Sequence, residues 1–285
     1  MPASSAPFQG LSLDDRDPHA IQSWMPIWEW LYRYYFRVQT SGWHHIPDGK
    51  ALYVATHNGG IAAPDLHMFA FDWFRRFGCD NPKGAVSNPH TLYGLAHPKI
   101  WQASPWLAEQ ACRMGAVQAH PKMAIAAFQR GASVLVYPGG VQEVFRPHRL
   151  RHKICFAERR GFIKLALRQE VPIVPLISWG AHDTLFVVED CYEQARWLHQ
   201  HGMPWLFGID PEVLPIYLGA PWGLAVGPLP NLPLPAQIHT RVCQPIYFDR
   251  YGRFALRDNA YIDECYTTVL SQMQHELDLL IAQVG

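Results

Sequence analysis

At 285 residues and 49% apolar composition, the chain suits one large domain or two small ones with a substantial core. Its 24 basic residues balance its 24 acidic ones, which removes the electrostatic case for a nucleic-acid partner, and a charged fraction of only 17% points to apolar partners. Six scattered cysteines (Cys79, Cys112, Cys155, Cys191, Cys243, Cys265) lack CxxC or metal spacing, so reduced thiols in a cytosolic compartment and no metal site are expected.

Met1 to Asp17 has no basic start followed by an apolar core, so no signal peptide is expected and residues 1–20 read as a flexible tail. The next stretch, WMPIWEWLYRYYFRV from Trp24 to Val38, predicts a helix within residues 21–40. At helical spacing Trp24, Ile27, Trp28, Leu31, Tyr35 and Val38 share one face, while Glu29, Arg33 and Arg37 follow at i,i+4 on another. A bilayer span needs about 20 mostly apolar residues, and this helix is too short and too charged. Two readings stand level: a helix lying in the membrane interface, or an aromatic helix packed on the core.

Gly42, Pro47, Asp48 and Gly49 make a turn-rich approach to an apolar run, Leu52 to Val54, that reads as a buried strand ending at Thr56, His57, Asn58, Gly59 and Gly60. Gly59 and Gly60 are expected to let a ligand approach the main chain. Pro64 is placed to open a helix that Gly78 stops, with Asp65 in its first turn. A histidine at a strand end can take a proton from a hydroxyl near neutral pH, and a carboxylate can orient it, so His57 reads as a general base and Asp65 as its partner. The competing explanation is ordinary: an aspartate in a first helical turn is favoured by the helix dipole alone.

This approach, strand and HNGG sequence resemble the start of the lysophospholipid acyltransferase superfamily, in its monoacylglycerol and diacylglycerol acyltransferase-like branch. Members carry an HxxxxD motif whose histidine activates the acceptor hydroxyl. Here Ala62 stands where that motif has its aspartate, and the first downstream carboxylate is Asp65, with seven residues between it and His57. A longer loop would have to fold it back.

From Asn81 to Trp106 prolines (Pro82, Pro89, Pro98, Pro105) break the chain into short pieces with little periodic signal. Met123 to Gly131 reads as a helix with Met123, Ala127 and Phe128 inward and Gly131 as its stop. Ser133 to Tyr137 then predicts a second strand running into Pro138, Gly139 and Gly140, followed by Glu143. Strand ends on one edge of an open α/β sheet collect ligands. The N–H groups of Gly139 and Gly140 are candidates for holding an oxyanion, worth about 3 to 4 kcal/mol per donor; by itself the stretch is also an ordinary turn into a helix.

PGGVQE resembles the PGGxxE block of diacylglycerol acyltransferase-like members, which stands where glycerol-phosphate-type members carry FPEGTRS and an arginine for the acceptor's phosphate. Val141 and Gln142 occupy that neighbourhood here, which implies a neutral acceptor. Glu143 is expected to anchor the glycine loop or to contact the acceptor. Arg146, Arg149, Arg151 and Lys153 form a basic run that is a candidate for the donor's phosphates, for lipid headgroups, or for a solvated face.

Phe162, Ile163, Leu165 and Ala166 predict an amphipathic helix, with Gly161 allowing close approach to a sheet, and Val171 to Ser178 a third buried strand; Gly180 and His182 follow at the same edge as His57. This alternation argues for an α/β fold with a largely parallel central sheet flanked by helices. Tyr192 to Pro235, dense in Pro, Trp and Leu, is expected to resist regular structure and to form an apolar cap, over 191–236, walling an acyl tunnel. Ile238 to Phe248 predicts a closing strand, and Asn259 to Val284 a final helix packed through Ile262, Tyr266, Val269, Met273, Leu277, Leu280 and Ile281. The catalytic core is thus expected over 41–190 of a single domain, 21–285.

Taken together, the resemblance implies a peripheral O-acyltransferase at the cytoplasmic face of a membrane. It would move an acyl group from acyl-CoA or acyl carrier protein to diacylglycerol, monoacylglycerol or a long-chain alcohol, with no metal, no other cofactor and no covalent acyl-enzyme. The rivals are a lysophospholipid acyltransferase, a noncatalytic lipid-binding protein, and an esterase or thioesterase, for which the chain lacks a GxSxG elbow.

Overall fold

The computed structural model describes residues 8–79, 90–205, 208 and 210–285, so Pro82, Pro89 and part of the presumed cap lie outside the described residues. The first half contains α1 (Pro18–Trp30), β1 (Gln39–Ser41), β2 (Leu52–Ala55), α2 (Pro64–Phe77), β3 (Leu92–Ala96), α3 (Ile100–Ala103), α4 (Pro105–Arg113), β4 (Ala116–Gln118), α5 (Pro121–Gln129) and β5 (Ser133–Val136). The second contains α6 (Gly140–Val144), α7 (Gly161–Gln169), β6 (Ile173–Trp179), β7 (Phe186–Asp190), α8 (Tyr192–Gln200), β8 (Pro215–Gly219), β9 (Gly223–Val226), β10 (His239–Val242), α9 (Gly252–Arg257) and α10 (Asn259–Val284).

A seven-stranded sheet in the order β1-β10-β6-β2-β5-β3-β4 forms the middle layer. Its centre, β6-β2-β5, is parallel and consists of the three strands expected from the apolar runs. Because strand side chains alternate, Leu52 and Val54 enter one core layer with α5, α7 and α10, while Tyr53 and Ala55 enter the opposite layer with α1 and α2. This two-sided burial explains why these strands read as continuous apolar runs. Among the described strands of this sheet β10 pairs antiparallel with β6, and the other neighbours pair in parallel.

Several expectations are corrected by packing. Residues 8–17 are not a loose tail: Leu13 is buried in the core, its carbonyl accepts from the Tyr93 hydroxyl, and Gly10 O accepts from Gln118 N. Along the aromatic stretch the α-helix gives way to a π-helical turn, Leu31–Tyr35, which shifts the buried register to Trp28, Tyr32 and Phe36 and leaves Ile27 exposed. That inner face packs on α2, Trp28 against Phe74 and Tyr32 against Phe71. Gly161 has open space where a Cβ would sit, so the close approach of α7 to the sheet comes from Ala166 and Leu167 instead. The closing strand stops at Val242, because Pro245 lacks an N–H to continue the ladder; Ile246 rejoins through a single bridge to Ile173. Strand β3 falls in the proline-broken stretch with little periodic signal, and β4, three residues long, pairs beside it and ends the sheet. Finally, much of the supposed irregular cap is regular. β8 and β9 form a hairpin that joins β7 in a three-stranded antiparallel sheet, whose inner face (Val187, Tyr217, Ala225) packs on Val144 and Phe145 of the segment after the glycine turn.

Candidate active site

His57 leaves the carboxyl end of β2, where Thr56 fastens the strand to β6 by donating N–H to Leu176 O and accepting from Ser178 N. The loop that follows turns back on itself through left-handed backbone at Gly59 (φ 84°), Gly60 (φ 71°) and Ala63 (φ 43°). Pro64 then opens α2 and sets Asp65 facing the loop's start. The Asp65 carboxylate is buried and accepts three groups: Asn58 N at 2.7 Å, Leu66 N at 2.8 Å, and the His57 imidazole, whose Nδ1 is 3.4 Å from both oxygens. Each carboxylate oxygen also takes a shorter main-chain bond, Oδ2 from Asn58 and Oδ1 from Leu66. The His57 side chain keeps 17% of its surface, while Asp65 keeps 3%.

Gly59 is glycine for steric reasons, because the space on its Cβ side is taken by protein. A Cβ there would lie 2.6 Å from Pro64 Cδ and from Thr184 Oγ1. The loop is also gripped from outside by Asn231, which donates to Gly59 O at 3.2 Å and accepts from Ala62 N at 3.4 Å.

The second glycine turn arrives from β5, next to β2, and is locked to the first. Glu143 is fully buried; its Oε2 accepts the His57 main-chain N–H at 3.0 Å and its Oε1 faces Cys155 N at 3.5 Å. Burial pushes the Glu143 carboxyl up to about 7, against the opposing pull of the Arg146 charge and the His57 N–H. Gly139 must be glycine for steric reasons: a Cβ would sit 2.2 Å from Glu143 Oε2 and 2.4 Å from Cys155 O. Arg159 holds the turn, donating to Pro138 O at 2.9 Å and Gly139 O at 3.0 Å. The N–H of Gly140 closes the turn onto Tyr137 O at 3.2 Å, so it is engaged rather than offered to an oxyanion.

Arg146 differs most from expectation. It does not face a phosphate site; it is 5% exposed and all five of its N–H groups point at protein oxygens. Nη1 donates to His57 O (3.1 Å) and Glu143 O (2.8 Å), Nη2 to Asn58 Oδ1 (2.5 Å) and Arg151 O (3.1 Å), and Nε to Leu150 O (3.2 Å). Of the remaining basic run, Arg149 pairs with Glu189 at 2.7 Å, Arg151 donates to His148 O, and Lys153 is exposed. The buried His182 is bonded through Nε2 to Arg146 O at 2.9 Å; burial and the Arg146 charge hold it well below the usual histidine range, so it is neutral and donates.

Sequence reasoning missed Arg146 as a brace, Arg159, Asn231 and Tyr137, whose ring centroid lies 4.5 Å from that of His57. Tyr137 was within reach, as the last residue of the second strand before PGG. Beneath Asp65 a cavity of about 10 Å³, lined by Thr56, Tyr137, Ser178 and Thr240 among others, is the size of one water and not of an acyl chain. Ser178 Oγ and Thr240 Oγ1, both buried on its wall, have no protein partner. Among the described residues no cluster of three or more His, Cys, Asp or Glu comes together to hold a metal, and no helix is long and apolar enough to cross a membrane.

A parallel α/β sheet whose neighbouring strand ends bring HNGG, a first-turn aspartate and PGGVQE into one hydrogen-bonded unit is the framework of an acyltransferase. Residues 20–278 match the family model described as diacylglycerol acyltransferase, and the chain belongs to that family. It is similar to an uncharacterized protein of Mycobacterium tuberculosis, 26% identical over 93% of this chain and 68% of the relative. It is also similar to the 2-acylglycerol O-acyltransferase 1 of Mus musculus, 27% identical over 57% of this chain and 47% of that protein. The crystal structure of the 1-acyl-sn-glycerophosphate acyltransferase of Thermotoga maritima aligns over 90% of this chain and 79% of that one, at 14% identity and a TM-score of 0.43.

Proposed function

We propose that this acyltransferase moves a fatty acyl group from acyl-CoA or acyl carrier protein to a neutral lipid alcohol (diacylglycerol, monoacylglycerol or a long-chain alcohol) while docked peripherally at the cytoplasmic face of a membrane. His57 is the general base. With Nδ1 turned to Asp65, Nε2 is the nitrogen left for the acceptor hydroxyl. It takes the hydroxyl proton as the alcohol oxygen attacks the thioester carbonyl, and the imidazolium returns that proton to the departing thiolate, so ester and thiol form without a covalent enzyme intermediate. Main-chain N–H groups at Gly139, or at Gly59 and Gly60, are the donors proposed for the tetrahedral oxyanion.

The observation that carries this reading is the contact of His57 with Asp65 inside a family of acyl-transfer enzymes. Arg146 supports the neutral acceptor, because this first arginine after the glycine turn is wholly occupied by protein, and Arg159, which reaches the turn, is spent on its carbonyls. The mouse relative's name supports an acylglycerol. The test is purified protein with radiolabelled acyl-CoA and a panel of neutral alcohols and lysophospholipids. Ester should form on a neutral acceptor and vanish with His57→Ala; equal ester from both proteins would remove His57 from the chemistry, and preference for a phosphate-bearing acceptor would reverse the acceptor assignment.

A further inference from the structure

We infer that the outer face of the β7-β8-β9 sheet, together with the segment 229–234 that leads from it to the His57 loop, is the surface on which this protein sits on a lipid bilayer. The inference rests on the lipid acyl transfer proposed above, and adds which surface meets the membrane.

The small sheet has two apolar faces where an antiparallel sheet at a protein surface normally has one. Its inner row, Val187, Tyr217 and Ala225, is buried. Its outer row aligns Phe186, Leu218 and Leu224 directly across the three strands, and these are 44%, 46% and 68% exposed. Val188 and Val226 extend the row and are exposed too. Isolated exposed apolar residues need no explanation, but an aligned row of them marks an interaction site.

The patch does not end at the sheet. Leu232 pairs with Ala220 just after β8, and the same segment exposes Leu229, Leu232 and Leu234. Between those leucines Asn231 turns inward and holds both ends of the catalytic loop, at Gly59 O and Ala62 N. That loop carries its own exposed apolar residue, Ile61. Farther on, Pro233 O accepts from Tyr35, whose ring meets that of the exposed Trp30. A continuous apolar path therefore runs from the hairpin to the rim of the site.

A bilayer fits this surface better than a protein does. From Val213 to Thr240 there is no Asp, Glu, Lys or Arg, and Glu189 at the end of β7 is already paired with Arg149, so β8, β9 and the 229–234 segment offer a partner protein no ion pair to fix its orientation. At the hairpin tip Trp222 keeps its ring exposed while its indole N–H reaches Pro230 O, an apolar body of the kind that settles at headgroup depth. Beside β7, His148 packs on Phe186 and the exposed Arg149 next to it pairs with Glu189 at 2.7 Å, so the basic run starts at the patch's edge, where anionic headgroups lie. A second copy of this chain seated on the same face would close Ile61 and the adjoining loop away from lipid, which is the opposite of what an acceptor drawn from a bilayer requires.

The test uses the full chain and flotation with unilamellar vesicles of phosphatidylcholine alone or with phosphatidylglycerol. Leu218→Glu and Leu224→Glu, both pointing outward, should each lower the vesicle partition coefficient by about tenfold or more, with melting temperature and activity on a water-soluble short-chain acceptor unchanged. Brominated phosphatidylcholine should quench wild-type tryptophan emission, and Trp222→Phe should remove a quenched component. Adding phosphatidylglycerol should tighten binding of the wild type. Unchanged partition of both glutamate variants overturns the assignment, as does light scattering that shows a wild-type dimer split by Leu224→Glu. Binding is read without turnover, so a protein that partitions as expected but acylates nothing would refute the proposed chemistry and leave the surface standing.

Discussion

Glu143 Oε2 accepts the main-chain N–H of His57, 86 residues away in sequence, at 3.0 Å, and so joins the two glycine motifs. The base thus hangs on a carboxylate delivered by the other motif. Glu143→Ala leaves the His57 N–H buried without a partner, at a cost of about 1–3 kcal/mol, and frees the loop. We expect kcat to fall by one to two orders of magnitude, roughly, with a lower melting temperature. Glu143→Gln keeps an acceptor oxygen for His57 and should retain more activity than Glu143→Ala; steady-state kinetics of both variants beside thermal denaturation make the comparison.

Arg146→Lys separates a brace from a phosphate ligand. A lysine offers three donors from one point and cannot reach His57 O, Asn58 Oδ1 and Leu150 O together, so at least two buried acceptors lose their partner. The expected outcome is a loss of stability of about 3 kcal/mol and a fall in kcat, with KM for acyl-CoA little changed. An arginine that bound donor phosphate would show the reverse, a raised KM with stability intact.

The sequence carried the parallel centre of the sheet, α2, α5, α7 and α10 because their patterning is local: a doubly buried strand is a plain apolar run, and α10 repeats its apolar face over 26 residues. His57 was legible as a polar residue at a strand end, and Asp65 as a first-turn acid. What brings Asp65 back was not, because the left-handed backbone at Ala63 is held by tertiary packing that propensity does not record. Arg146 misled for the same reason. In sequence it begins a basic run, and only the fold reveals that five protein oxygens surround it. The hairpin β8-β9 was obscured by its prolines, although Ile216, Leu218, Leu224 and Val226 keep the period of two that a strand requires.

Two buried groups give opposing pH dependences. Glu143 is raised in the fold to about 7 from an ordinary 4.5, so its contribution to stability is fully present below about 4.5 and is lost as pH rises toward 7. His182 is lowered well below 6.5, so the unfolded chain binds the extra proton and stability falls as pH drops below 6.5. His67, lowered by burial as well, adds to that acid limb. Between pH 4.5 and 6.5 the two slopes oppose each other. Glu143→Gln removes one, and denaturant midpoints measured across that range should then climb more steeply with pH than in the wild type; an unchanged slope would mean that Glu143 is ionised throughout.

Asp65→Asn asks whether the carboxylate serves the imidazole or only the backbone. The amide is nearly isosteric and its oxygen can accept from Asn58 N or Leu66 N, so stability should fall by no more than about 1–2 kcal/mol. Its NH2 group, however, cannot accept from His57 Nδ1–H, and the imidazole is free to take the wrong tautomer or turn away. The expected result is a drop in kcat of about a hundredfold or more, with KM for both substrates nearly unchanged. If the two residues act together, His57→Ala should cost far less in the Asp65→Asn background than in the wild type, since residues in one hydrogen-bonded unit are not additive. Additive losses would reduce Asp65 to a helix-capping residue and leave His57 to work alone.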